Sequence, residues 1–220
     1  MLFIKININI NFLKVFVLFC NKCIQLVISN ITILLCFLSA IYKSCILFCF
    51  FMVILIFLVI FYRYKPHNKR YSDNIIVSPA DGVVSYLKEE CGKINVSIYL
   101  NFLNNHIQIY PVNGIVIKRV YDNTGLFSLA NNRDKSRFNE KKIHTIQMKN
   151  NKILKVTQIA GFFTRRIVSS KTTPEEVMAG EYLGMIKFGS RIDLEFEGNI
   201  SNILIKEGQS ISIGDFLYSY

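Results

Sequence analysis

The chain has 220 residues and a formal net charge of +11, enough for one ordinary domain and an appendage. The charge is uneven: Met1 to Tyr62 contains no Asp or Glu and only Lys5, Lys14, Lys22 and Lys43, whereas the rest carries twenty-two bases against fifteen acids, a net +7. This split excludes a single oily domain, and the charged part has none of the basic–aromatic striping that single-strand nucleic-acid binders use.

In chain order, residues 1–30 form an extension to which no element is assigned, and residues 31–62 read as a hydrophobic helical membrane anchor. Its clearest part runs from Cys45 to Tyr62, eighteen residues without a charge, a Gly or a Pro. Crossing a hydrocarbon layer of ~30 Å takes roughly 20 apolar residues in helix, so this run suffices with modest snorkelling. A shorter apolar run, Ile31 to Tyr42, precedes it across Lys43-Ser44. One long tilted helix and a re-entrant hairpin both fit. A signal peptide does not, because the run starts late and no small-x-small site follows. Arg63, Lys65, Lys69 and Arg70 crowd the C-terminal flank and by the positive-inside tendency favour a cytoplasmic domain. Lys5, Lys14 and Lys22 pull the other way for a single span, and a hairpin satisfies both groups. Five of the six cysteines lie in this apolar part. Cys20 and Cys23 have CxxC spacing but no second pair, so neither a zinc site nor a disulfide framework is expected.

Residues 63–220 read as a β-dominated domain. Short β-branched or aromatic runs recur at Val83–Leu87, Ile94–Leu100, Ile115–Tyr121, Ile143–Met148 and Ile153–Ile159, the last two joined by a hairpin turn over Lys149–Lys152. Further strands are predicted at Arg166–Val168, Tyr182–Lys187, Ile192–Phe196 and Ile200–Lys206. Asp122 to Lys142 is polar and strand-poor and reads as a long loop. Val177-Met-Ala-Gly180-Glu-Tyr-Leu183 and Ile211-Ser-Ile-Gly214-Asp-Phe-Leu217 share one form, a branched residue, then Gly-acid, then Leu. Such turns resemble those of lipoyl/biotinyl-like barrel-sandwich domains.

Four segments carry chemistry. Ser78-Pro-Ala-Asp-Gly82 is a turn with Asp81 at its tip, and alone such an Asp is usually a turn former. Asn104-Asn-His-Ile-Gln-Ile-Tyr-Pro111 sets His106 at the end of an apolar strand. Gln158-Ile-Ala-Gly-Phe-Phe-Thr-Arg-Arg166 places Arg165 and Arg166 together, a pair suited to phosphate or carboxylate or to a solvated edge. Gly184-Met-Ile-Lys-Phe-Gly-Ser-Arg-Ile-Asp193 puts a Gly189-Ser190 step between two strands, where glycine leaves the carbonyl unhindered.

In this order the segments resemble the short form of the phosphatidylserine decarboxylase family. That form shows an S-P-A-D-G turn, N-V-H-x-N-R-x-P, a D-K-x-S loop ending N-E-R, Q-I-A-G-x-x-A-R-R-I-V and G-x-I-R-F-G-S-R-V-D. The chain supplies Asp134-Lys-Ser136 and Asn139-Glu-Lys141 for the loop, so the likeness spans roughly residues 60 to 220. It departs at Ile109, where the family has Arg, and at Thr164, where it has Ala.

The resemblance implies a carboxy-lyase that acts on phosphatidylserine in the membrane and makes its own cofactor. Ser190 would attack the Gly189 carbonyl, splitting the chain into β (1–189) and α (190–220) and leaving a pyruvoyl group on the α chain as electron sink. His106 and Asp81 are the candidate base and orienting carboxylate, with Asp81 acting beside a different base as the alternative. Arg165, Arg166 and Arg191 are the candidates for phosphate or carboxylate, with no metal and no nucleic acid. The expected assembly is a heterodimer of the two chains, alone or in a higher oligomer, on the cytoplasmic face of a bacterial inner membrane. Two rivals stay open on the residues alone: a membrane-anchored lipoyl-like adaptor, and a degenerate homologue that no longer cleaves itself.

Overall fold

The computed structural model describes residues 30–38, 40–41, 45–61, 69–122, 128–130, 133–136, 138–161, 167–169, 175–186 and 190–220. They fall into two compact units, Met1–Arg63 and Tyr64–Tyr220. In the first unit residues 30–38 are helical, and a second helix runs Cys45–Phe61. Nothing in the second helix breaks the ladder, and its side chains are apolar on every face, with Ile46, Phe50, Val53, Ile56 and Val59 exposed. At 1.5 Å per residue its 17 residues reach ~25 Å. Among the described residues no helix is long and apolar enough to cross a membrane.

The second unit is β-dominated, as expected. Among the described residues its strands are β1 (Ile75–Val77), β2 (Gly82–Glu90), β3 (Lys93–Leu100), β4 (Ile107–Ile109), β5 (Gly114–Asp122), β6 (Lys141–Met148), β7 (Ile153–Ile159), β8 (Ile167–Ser169), β9 (Glu175–Val177), β10 (Tyr182–Ile186), β11 (Ser190–Glu197), β12 (Ser210–Ile211) and β13 (Phe216–Ser219). Eight form one antiparallel sheet in the order β12-β2-β3-β11-β7-β6-β5-β9, with β4-β10-β8 and β1-β13 as smaller sheets. Burial alternates along β6 and β7, so one face of the large sheet builds the core. Ile94, Val96, Ile98, Ile146, Leu154, Val156, Ile192, Leu194 and Phe196 fill it, and Phe196 meets Tyr218 edge-on at 5.0 Å.

Two sequence expectations change. Ile200–Lys206 is not a strand: Ile200–Asn202 is a 3-10 turn, because the Asn199 side chain accepts from Ser201 N–H and Ile203 N–H closes back on the Ile200 carbonyl. Only Ile203 still bridges to Tyr218. Within the long loop, Arg133–Ser136 forms a helical turn, and β5 and β6 take its first and last residues.

The two Gly-acid turns do match, and they are half of a larger repeat. Gly180 and Gly214 have φ of 93° and 85°, the left-handed region that glycine enters without penalty. Met178 N–H donates to Glu181 and Ser212 N–H to Asp215 in the same manner. The other half is Val77-Ser-Pro-Ala-Asp-Gly-Val-Val84 and Ile109-Tyr-Pro-Val-Asn-Gly-Ile-Val116, an echo missed in reading the sequence. Val77 N–H donates to the Pro111 carbonyl (3.0 Å) while Ile109 N–H donates to that of Pro79 (2.9 Å). Asp81 accepts from Ile213 N–H at 2.7 Å, and Asn113 accepts from Ala179 N–H at 2.8 Å. The unit thus has an internal two-fold resemblance in which Asp81 and Asn113 are counterparts.

Candidate active site

Strand register fixes one end of the large sheet. Ser190 opens β11 opposite Leu100, the last residue of β3, and Arg191 faces Ile159, the last residue of β7. Lys141, the first residue of β6, also faces Ile159. Four strands therefore end in line. Toward that end the inner face turns from apolar to polar: Ile146 gives way to His144 and Lys142 on β6, Val156 to Gln158 on β7, and Ile192 to Ser190 on β11, all buried. Because Gln158 pairs with Ile192, Gln158 and Ser190 are diagonal neighbours on one face, roughly 7–8 Å apart.

A chain of side-chain amides crosses this buried end. Gln108 Nε2 donates to the His106 carbonyl (2.6 Å), Gln158 Nε2 donates to Gln108 Oε1 (2.9 Å), and Gln158 Oε1 lies 3.0 Å from His144 Nε2. Since the carboxamide oxygen can only accept, His144 carries its proton on Nε2. Burial holds the His144 pKa down at about 3, against the opposing pull of its Gln158 bond, so the ring is neutral near pH 7. The network ties β6 and β7 to β4 and fixes the backbone of His106, whose carbonyl also accepts from Ile186 N–H at 3.3 Å.

His106 sits in the connection before β4 rather than at a strand end, and it is fully buried. Its Nδ1 lies 2.8 Å from the Asn104 carbonyl. A carbonyl accepts and cannot donate, so Nδ1 bears the proton of the neutral ring and Nε2 is its basic nitrogen. Ser190 Oγ is likewise buried and finds no hydrogen-bond partner among the described residues. Leaving a buried hydroxyl unmatched costs about 1–3 kcal/mol, a cost found where a group is held for chemistry. Ile186 and Ser190 bracket three residues, so at most ~14 Å of chain separates the amide bonded to His106 from the serine.

The other predicted residues are placed as follows. Asp81 is half-buried and holds Ile213 N–H, and the Pro79 carbonyl beside it is bonded to β4 three residues beyond His106. Arg191 points to the opposite face from Ser190. Its guanidinium is buried, forked onto Asp193 (2.8 and 3.0 Å), and donates to the Ala130 carbonyl (3.0 Å) and Ser136 Oγ (2.7 Å). One of the three candidate guanidiniums for substrate is thus taken up within the chain, where it holds Ala130 and Ser136. Arg165, Arg166 and Gly189 lie outside the described residues. The sequence reading missed Gln108 and His144 as site residues. A signal existed: in Ile143–Met148 and Ile153–Ile159, strict alternation puts His144 with Ile146 and Gln158 with Val156, polar groups on an apolar face.

A sequence profile described as phosphatidylserine decarboxylase matches residues 55–219. That span covers most of the chain. The chain belongs to the phosphatidylserine decarboxylase family. Among its relatives is the phosphatidylserine decarboxylase proenzyme of Wolbachia pipientis wMel, 35% identical over 164 residues, 70% of this chain and 69% of that protein. The proenzyme of Solibacter usitatus is 36% identical over 162 residues (74% and 78%), and that of Ehrlichia chaffeensis 34% over 185 residues (80% and 81%). No solved structure matches the chain. Against the family pattern, Gln108 stands where Asn is usual, and its longer side chain makes both the bond to the His106 carbonyl and the bond to Gln158.

Proposed function

We propose that the protein decarboxylates phosphatidylserine to phosphatidylethanolamine, using a pyruvoyl group that it generates by cutting itself between Gly189 and Ser190. The observation that carries this is the buried Ser190 hydroxyl at the head of β11, unmatched among the described residues, on the face that also holds the network fixing His106. Self-cleavage begins when Ser190 Oγ attacks the Gly189 carbonyl carbon. His106 Nε2 takes the hydroxyl proton, and the 189–190 C–N bond breaks to leave an ester and a free amine. Loss of the residue-190 Cα proton then breaks the Cβ–Oγ bond and releases Gly189 as a carboxylate. Water replaces the nitrogen of the resulting dehydroalanine as ammonia. When formed, the pyruvoyl group supplies an electron sink for the bond to the departing CO₂.

Asp81 orients this end of the domain, and its carboxylate supplies negative charge near the protonated histidine. Arg165 and Arg166 are assigned to the lipid phosphate or carboxylate, and Arg191 to holding the 128–136 connection. The products of cleavage stay together as one heterodimer, because β11 is hydrogen-bonded on both sides to strands of the other chain. The internal two-fold resemblance supports placing the fold in the barrel-sandwich class. The exposed apolar helix Cys45–Phe61 supports attachment to a bilayer, on the cytoplasmic face of a bacterial inner membrane by its basic flank.

The test is Ser190→Ala in the full chain with carboxyl-labelled phosphatidylserine. Wild type releases labelled CO₂ and the variant neither cleaves nor releases it. Cleavage in the variant would place the processing bond elsewhere, and a wild type that stays whole and silent would favour a degenerate homologue.

A further inference from the structure

Large apolar side chains stand exposed at the end of the sheet where β11 opens with Ser190, among the described residues of two connections. Phe102 and Leu103 (44% and 67% exposed) lie on the turn between β3 and His106. Leu129 and Phe138 (60% and 52%) lie on the connection between β5 and β6. Their exposure does not come from loose backbone. Asn104 Oδ1 accepts from Asn101 N–H (2.8 Å), while Asn101 Oδ1 accepts from Leu103 N–H (2.9 Å) and Asn104 N–H (3.1 Å), so the first turn is closed on itself. Leu129 sits between Ser128, held through both backbone groups by Asn139, and Ala130, whose carbonyl accepts from Arg191. Phe138 precedes Asn139, which is also anchored to the Ala160 carbonyl at 2.7 Å. Both stretches are tied by side-chain-to-backbone hydrogen bonds, while Phe102, Leu103, Leu129 and Phe138 stand exposed.

We propose that this rim is a bilayer-docking surface, through which the catalytic end of the domain sits in the interfacial layer of an anionic membrane. The inference rests on the decarboxylase reading, since a substrate carried on two acyl chains brings the bilayer to the site. Three observations select a lipid surface as the occupant. Exposed large apolar side chains stand at the end of the sheet where Ser190 opens β11. The β5–β6 connection carries Arg133, Lys135 and Arg137 against Asp134 and Glu140 in sequence, and Lys135 is exposed while Glu140 is buried, which complements anionic headgroups. Finally, Phe102-Leu103 is joined to the backbone that holds His106 Nδ1, and Leu129 to that held by Arg191, so docking would act on the site through rigid links.

The chain contains no Trp, so a single introduced one reports its own surroundings. Leu103→Trp, Phe138→Trp and, as control, Ile200→Trp are reconstituted at full length in vesicles of phosphatidylcholine and phosphatidylserine with acyl chains brominated near their midpoints. Ile200 is exposed at the far end of β11, roughly 24 Å from Ser190 along the strand. The proposal expects bromine to quench the Leu103→Trp and Phe138→Trp emission and to spare the control. Equal quenching at all three positions, or none at the first two, overturns it. A second measurement uses the Leu103→Ser/Phe138→Ser pair. Its kcat/KM on vesicle phosphatidylserine should fall roughly 10-fold or more, while its rate on a short-chain phosphatidylserine dispersed as monomers holds. A parallel fall on both substrates overturns docking. If wild type releases no CO₂ from either substrate, the decarboxylase reading itself fails, whatever the quenching shows.

Discussion

Burying His144 neutral makes stability depend on pH in a window that can be worked out beforehand. Its pKa is about 3 in the folded chain and about 6.5 when exposed on unfolding. The unfolded state therefore binds the proton first. The contribution is fully present above pH ~6.5 and drains away as pH falls toward 3, at about 1.4 kcal/mol per pH unit. Between pH 6.5 and 4.5 the loss from this one ring is roughly 2.5 kcal/mol, a large part of the 5–15 kcal/mol that holds an ordinary domain. His144→Leu removes the titrating group and strips Gln158 Oε1 of its donor, which costs about 1–3 kcal/mol at every pH. The wild-type and variant curves should therefore converge or cross: wild type ahead at pH 7.5, the variant level or ahead by pH 4.5. The measurement is urea unfolding in detergent at a series of pH values, in a Ser190→Ala background so that one whole chain unfolds. Parallel curves across that window would show that His144 is not held neutral by burial, and the network reading would fall with it.

Asp81→Asn should keep the fold, with stability within about 1 kcal/mol, because Asn113 makes the counterpart turn with a neutral amide, while self-cleavage, followed by gel, should slow sharply. Arg191→Ala should lower stability by about 3 kcal/mol, leave the 128–136 connection open to limited proteolysis, and slow processing, read as the rate at which the whole chain disappears. Gly114→Ala, remote from Ser190, should destabilise by about 2 kcal/mol or more in thermal melts, since a Cβ there would come within 2.3 Å of the Gln147 carbonyl oxygen, a backbone atom with little room to yield.

Much of the β scaffold was legible because its strands are short, branched and separated by turn residues. The hairpin at Lys149–Lys152 and the two Gly-acid turns could be read from local chemistry alone. The strand expected at Ile200–Lys206 failed because composition there is β-like, while the Asn199 cap bends the chain. The repeat of residues 77–84 in 109–116 was visible in the letters but lay hidden under divergent side chains, Ser78 against Tyr110 and Asp81 against Asn113. At the site, Asp81, His106 and Ser190 came from motif order. Gln108 and His144 needed the register, because only strand pairing shows that polar groups from three strands converge on one buried end. For Arg191, one of three candidate arginines, the strand decides the direction: adjacent residues point to opposite faces, so its guanidinium lies on the face away from Ser190.

The most direct test of the central claim is the intact mass of the purified full-length protein under denaturing conditions. The account predicts two polypeptides, residues 1–189 and residues 190–220, the smaller with a blocked N-terminus that reacts with a hydrazide as a ketone does. A single uncleaved 25.4 kDa chain would contradict it.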